Sequence, residues 1–278
     1  MTILVLNANG KVGAEVADQL IAKGEKVRIG ARNVAKAKAS YPKAEVVAVD
    51  FGKPETLKAA VNGVSAIFTA TPYELLPQPE IDLVAAAKAV GVKHIVKIST
   101  QGADGDSTSP HGAVEKSIRD SGLTYTILRP NFFMQNYAVQ QAGSIKHQGA
   151  FYEPADEGKS SFIDTRDIAA IAVKALTEKG HEGKSYLLTG GEALNRNEVA
   201  TAISAAIGRP VKFVNVDDAG LRKAMADAPP KLTELMSVLM GYVRANYTGA
   251  ISPDVEKLLG HKPTTFAQFA KDHASAWK

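Results

Sequence analysis

An α/β fold with a doubly wound parallel sheet is predicted by three features of this sequence. Short apolar runs rich in strand-forming residues alternate with stretches of helical spacing as far as Leu188. Each run ends in a polar or glycine-bearing turn, as parallel strands joined by helical crossovers require. Beyond Thr189-Gly190-Gly191 the character changes and helical patterns dominate. The expected organisation is a nucleotide-binding α/β domain over residues 1–190 and a smaller, mainly helical C-terminal lobe over 191–278. Residues 131–160 are a segment that can join the lobe.

The first unit is the most informative. Ile3–Leu6 is a buried-type strand, Asn7–Gly10 a tight turn, and Val12, Val16, Leu20 and Ile21 share one helix face. Strand, turn and helix start together present backbone N–H groups and a favourable dipole to a phosphate. Asn7 stands where a dinucleotide fingerprint carries glycine, and Asn tolerates left-handed backbone angles better than most residues. Lys26–Ala31 is the second strand and ends at Arg32, about twenty residues past Gly13, where a ribose-recognising side chain belongs. An acidic residue there would bind a 2′-hydroxyl, whereas Arg32, followed by Lys36 and Lys38, suits a 2′-phosphate. NADP(H) is therefore preferred over NAD(H).

Glu45–Val49, Ala66–Ala70, His94–Ser99, Thr124–Leu128 and Lys184–Leu188 are the further strands of the sheet. Helices over Pro54–Val61, Glu80–Val90, His111–Ser121 and Asp167–Leu176 separate them, and Ser161–Asp164 reads as a short additional strand. Ligands of such sheets bind beyond the carboxyl ends of the strands, here Asn7–Gly10, Arg32, Asp50-Phe51, Ala70–Pro72 and Ser99–Gly102. Asn131–Tyr137 follows a strand end with amides that suit a nicotinamide or substrate carbonyl and aromatics that suit a pocket wall. Core packing and capping explain the same residues equally well. In the lobe, Asn195–Ile207, Asp217–Met225 and Leu232–Arg244 are helical and Val211–Val216 a strand. The stripe along Leu232–Arg244, with Met236 and Met240, is compatible with core, a substrate wall or a homodimer contact.

Composition narrows the function. Of 278 residues, 33 are basic and 29 acidic, giving a net charge of +4 without a basic block, so a nucleic-acid surface is not expected. The absence of cysteine excludes disulfides and thiolate chemistry. No apolar run reaches ~18 residues and no secretory leader is legible, so a cytoplasmic protein without membrane attachment is expected. The six histidines lack metal-ligand spacing, and no metal is expected.

Together these segments resemble the NmrA-like branch of the atypical short-chain dehydrogenases. The motifs concerned are Asn7-Ala8-Asn9-Gly10-Lys11-Val12-Gly13, Gly91–Val96, Tyr125–Phe132, Ser161–Ala169 and Gly180–Lys184, with Ser252–Glu256 to Phe269 closing the match. The resemblance implies a Rossmann-type sheet, an NADP(H) cofactor, and a reductase similar to NADPH-dependent quinone oxidoreductases and triphenylmethane reductases. It implies that Asn7, Ala8, Asn9, Gly10, Lys11 and Val12 hold the pyrophosphate and Arg32 the 2′-phosphate. Asp50 and Phe51 would meet the adenine, and Ala70, Thr71 and Pro72 the ribose and pyrophosphate. Ser99 and the segment from Asn131 to Asn136 would face the nicotinamide, and Lys159 would contact the cofactor.

The Tyr-x-x-x-Lys pair of ordinary short-chain dehydrogenases is absent. Its positions read His111 and Glu115, with Lys116 about 100° further round the helix. A reactive electrophile can accept hydride through positioning alone. His111, with an ordinary pKa near neutrality, is the candidate acid, and a structural hydrogen bond at the helix start is its competing role. Tyr73, Phe132, Phe133 and Tyr137 are the candidate walls of an apolar pocket for a small aromatic or quinone acceptor. The alternatives are an NmrA-type redox sensor that binds dinucleotide without turnover and, less supported without the tyrosine, a sugar-nucleotide epimerase.

Overall fold

The apolar runs form a seven-stranded sheet in the computed structural model, which describes residues 1–278. In chain order the first part comprises β1 (Thr2–Leu6), α1 (Lys11–Ala22), β2 (Lys26–Ala31), α2 (Val34–Ser40), β3 (Glu45–Ala48), α3 (Pro54–Val61), β4 (Ala66–Thr69), α4 (Gln78–Ala89), β5 (His94–Ile98), α5 (Pro110–Ser121) and β6 (Thr124–Pro130). The remainder comprises α6 (Gln135–Val139), α7 (Ala142–Gln148), β7 (Ala150–Glu153), α8 (Thr165–Thr177), β8 (Lys184–Leu188), α9 (Arg196–Ile207), β9 (Lys212–Asn215), α10 (Asp218–Ala224), α11 (Pro230–Arg244), α12 (Asp254–Leu259) and α13 (Phe266–Asp272). The strand order is β3-β2-β1-β4-β5-β6-β8, with parallel pairing from β3 through β6. This is the Rossmann-type order, whose chain reversal beside β1 opens a crevice at the strand ends.

The chain forms two compact units, Met1–Pro130 with Thr165–Leu187, and Asn131–Asp164 with Leu188–Lys278. In the first, Leu4, Leu6, Ile67, Ile95, Leu83 and Ile118 belong to one buried apolar cluster. Ile3–Leu6 of β1 and Ala66–Phe68 of β4 are continuous apolar runs because both sheet faces are covered, as expected of parallel strands. In the second unit Tyr137, Phe151, Phe162, Phe266, Phe269 and Trp277 make an aromatic core. Tyr137 meets Phe151, Phe162 and Phe266 edge-on, with centroids 5.1, 5.6 and 5.5 Å away.

Local structure adds to the sequence pattern in three places. Ala150–Glu153 is a strand, because it pairs in parallel with β9 some sixty residues later. Ser161–Asp164 is not a strand; isolated bridges join Ser160 to Leu194 and Phe133 to Ile163 instead. The short helices α2, α6 and α7 have little periodicity to announce them, and α2 buries only Ala37.

One feature breaks the apolar rule of the first core. Lys97, on β5, and Glu80, on α4, are fully buried and form an ion pair at 2.7 Å. Glu80 also accepts from Thr69 Oγ1 at 2.7 Å and from the Thr71 amide at 3.2 Å. The Lys97 ammonium and these hydrogen bonds outweigh desolvation and hold the Glu80 carboxyl below its ordinary pKa. Removing one partner strands a buried charge. Lys97→Met alone should cost about 3–5 kcal/mol of unfolding free energy, and Lys97→Met with Glu80→Gln should recover most of it, as read by urea denaturation.

Candidate cofactor and reaction site

The turn after β1 is built around Asn7. Its φ is +56°, the left-handed conformation that the missing glycine would have adopted. Its carbonyl accepts the Gly10 amide at 2.8 Å, and its side-chain amide donates to the Ala70 carbonyl beyond β4 at 2.8 Å. Glycine is obligatory at position 13, where a Cβ would lie 2.2 Å from the Asn7 carbonyl oxygen. At position 10 a Cβ would lie 2.7 Å from Asn7 Nδ2. Gly10 caps α1 without a side-chain acceptor, so no side chain closes the positive end of the helix. The Tyr41 hydroxyl, which the sequence did not single out, donates to the Ala8 carbonyl at 2.8 Å. That bond holds the Ala8 carbonyl inward, and planarity of the peptide turns the Asn9 amide the opposite way. Burial lowers the pKa of the Lys11 ammonium beside the turn.

The other strand ends carry distinct chemistry. Arg32 is exposed directly after β2, and Asn33 caps α2 through the Lys36 amide at 2.9 Å, which brings Lys36 and Lys38 onto exposed positions of α2. Asp50 Oδ1 accepts the Gly52 amide at 3.0 Å, and Phe51 packs against the core of the first unit. Thr71 is buried and its Oγ1 has no partner. An unsatisfied buried hydroxyl, a side-chain-free cradle at Gly10 and Gly13 and an uncapped helix start fit the ribose–pyrophosphate portion of a dinucleotide.

Two polar networks lie at the ends of β5 and β6. Ser99 Oγ donates to Glu115 Oε1 at 2.5 Å. Arg129 grips the Glu115 carboxylate at 3.0 and 2.6 Å, and Arg119 adds a contact at 2.7 Å. These donors outweigh desolvation and keep the Glu115 carboxyl below its ordinary pKa. With its proton committed to a carboxylate, Ser99 can offer a ligand only an acceptor, suited to an amide N–H. In the second network Lys97 Nζ lies 3.3 Å from His111 Nδ1, and the His111 ring stands 6.0 Å from that of Tyr73. Desolvation, then the Lys97 ammonium, lower the His111 pKa to about 3. The expected imidazolium acid is therefore absent near neutrality; the ring is neutral.

The candidates in the second unit divide. Asn131 spends both amide hydrogens on Ser161 Oγ at 2.8 Å and the Thr248 carbonyl at 2.7 Å, and its oxygen accepts the Phe132 amide. No donor remains for a nicotinamide, because the segment is fastened to a loop more than a hundred residues away. Tyr137, expected as a pocket wall, is a core residue, and burial pushes its hydroxyl pKa well up. Phe132 and Phe133 are partly buried, and Phe132 packs with Met225, Met236 and Phe213 around Met240. The Arg196 guanidinium, paired with Glu153 at 2.8 Å, lies 5.8 Å from the Phe132 ring centroid. Lys159 is exposed, with only a long ion pair to Glu198 at 3.7 Å, so its ammonium can be redirected to an anion. No helix is long and apolar enough to cross a membrane.

A model of the NmrA-like family matches residues 1–270. An NAD(P)H azoreductase of Xenophilus azovorans is 39% identical, with 99% of each chain covered. Quinone oxidoreductase 2 of Escherichia coli is 32% identical, with 96% of each chain covered. The crystal structure of an NADPH-dependent quinone oxidoreductase of Escherichia coli complexed with NADPH superposes with a TM-score of 0.84 at 28% identity, covering 98% of this chain and 99% of that one. A Citrobacter sp. triphenylmethane reductase complexed with NADP(H) does so with a TM-score of 0.84 at 27% identity, covering 99% of this chain and 100% of that one.

The depressed histidine has a measurable consequence. The unfolded chain takes a proton near the ordinary value of 6.5, whereas folded His111 stays neutral down to about 3. Its neutrality therefore costs stability as the pH falls from 6.5 toward 3, and costs nothing above. His94, also lowered by burial, adds in the same direction. Thermal and urea unfolding should show a loss between about pH 7 and about pH 5 that His111→Gln reduces by about 1–2 kcal/mol.

Proposed function

This chain belongs to the NmrA-like family, and we propose that it is an NADPH-dependent reductase that passes hydride to a quinone or another planar aromatic acceptor. The coarser activity is that of an NAD(P)H-dependent oxidoreductase. The observation that carries the finer reading is the state of the reaction end. Ser99 is locked to Glu115, and His111 is neutral, so no strong acid waits to protonate an alkoxide. A ketone reduction depends on such an acid, whereas a quinone or a cationic dye is electrophilic enough to proceed by positioning.

NADPH, when bound, supplies the hydride. Asn9 to Val12 and the start of α1 receive the pyrophosphate, Thr71 Oγ1 gains a partner at the ribose or phosphate, and Arg32 pairs with the 2′-phosphate. Asp50 and Phe51 flank the adenine, and Ser99 accepts from the carboxamide. Phe132, Phe133, Met225 and Met236, each only partly buried, offer a soft, polarisable surface suited to flat acceptors of varied outline. The azoreductase, quinone oxidoreductase and triphenylmethane reductase relatives support this acceptor class.

NADPH should bind at least ~10-fold more tightly than NADH, and Arg32→Ala should erase that difference, ~1.4 kcal/mol by isothermal titration. Equal affinity in the unmodified protein would remove the Arg32 assignment. NADPH oxidation should be seen with some members of a panel of benzoquinones, naphthoquinones, azo dyes and cationic triphenylmethane dyes. Tight NADPH binding with no member reduced would move the redox-sensor function ahead of the reductase.

A further inference from the structure

We infer that Lys97 is a positioning residue: its buried ammonium holds His111 as the neutral ring protonated on Nε2, so that His111 presents a hydrogen-bond donor, not an acid, to the acceptor. The tautomer follows from geometry alone, and the role toward an acceptor rests on the reductase reading.

The Lys97 ammonium has three donors and no acceptor. Its neighbours are the Glu80 carboxylate at 2.7 Å, the Ile98 carbonyl at 2.6 Å and His111 Nδ1 at 3.3 Å. Carboxylate and carbonyl can only accept, and beside a donor-only ammonium Nδ1 must accept as well. The ring proton is therefore on Nε2. Nε2 makes no hydrogen bond within the protein and is not one of its buried unpartnered atoms, so it opens to a ligand. The charged groups facing the ring are Lys97 from β5, Glu80 from α4 and Glu115 from its own helix, with the Tyr73 ring beside it. Glu80 secures the ammonium, the ammonium orients the imidazole, and the imidazole stands on α5 at the position where an ordinary short-chain dehydrogenase has its tyrosine.

A neutral imidazole stabilises developing negative charge by hydrogen bonding and does not give up its proton. A quinone that takes hydride from NADPH, leaving NADP+, becomes a hydroquinone anion whose oxygen the Nε2–H can hold. One proton from bulk water then completes the hydroquinone and leaves hydroxide. The rate should accordingly be insensitive to pH across the range in which a histidine acid would titrate.

The test is nitrogen-15 NMR of the histidine side chains in the full-length protein, with the His111 signal assigned by its loss in His111→Gln. The expected result is an Nε2-protonated, Nδ1-unprotonated pattern that does not titrate between about pH 5 and about pH 8. In Lys97→Met/Glu80→Gln, which leaves no buried lone charge, Nδ1 loses its fixed donor and the tautomers should mix, while desolvation still keeps the ring neutral. With a quinone acceptor, kcat should fall about 10-fold in that variant while the NADPH Kd holds. His111→Gln, which keeps a donor but cannot transfer a proton, should retain more rate than His111→Leu. An Nδ1-protonated ring, or an ordinary titration in the unmodified protein, overturns the inference even if the double variant does not fold. Unchanged His111 signals in a folded double variant overturn it too. The expected signals with no acceptor reduced would instead refute the reductase reading and leave the Lys97–His111 assignment standing.

Discussion

The close approach of α1 to the end of β1 is the constraint on which the first unit depends. A helix that starts immediately after a central strand must turn back within four residues, and Asn7 does so by taking a left-handed backbone angle. Its carbonyl then comes so near Gly13 that no side chain fits there. The amide of Asn7 adds something that a glycine could not. It crosses to the Ala70 carbonyl, joining the turn after β1 to the end of β4. The substitution that weakens the match to a dinucleotide fingerprint thus keeps the turn's conformation and cross-links two strand ends.

Further along the same sheet edge, buried carboxylates are paired with cations. Glu80 and Lys97 form one pair, with Thr69 and the Thr71 amide on Glu80, and Glu115 with Arg129, Arg119 and Ser99 forms another cluster. Such groups rarely contribute net stability, since desolvation offsets their attraction, but they impose direction on neighbouring dipoles. Ser99 spends its proton on Glu115, and His111 Nδ1 lies against the Lys97 ammonium.

The second unit works on different principles. Asn131 fastens the segment that leaves β6 to Thr248, and Tyr137 anchors the aromatic core, so both serve cohesion. Phe132 and the methionines of α10–α11 form a separate, smaller cluster with flexible side chains. Methionine adapts to shape more readily than branched residues.

Period and punctuation in the sequence by themselves determined the parallel α/β architecture, because each buried strand and each amphipathic helix is a local pattern. The tight turn after β1 was legible for the same reason, being set by residues adjacent in sequence. Even so, Lys97 was a signal passed over: a charge inside an apolar strand needs a buried partner, and Glu80 lay within reach on the preceding helix. Tertiary structure alone decided the rest. The ionisation of His111 depends on an ammonium fourteen residues away and on burial, neither of which a motif encodes. Asn131 and Tyr137 looked like ligand contacts until partners as distant as Thr248 and Phe266 claimed them. Hydrogen-bonding capacity belongs to a residue type, but what remains of it for a ligand is fixed only when the whole chain has folded.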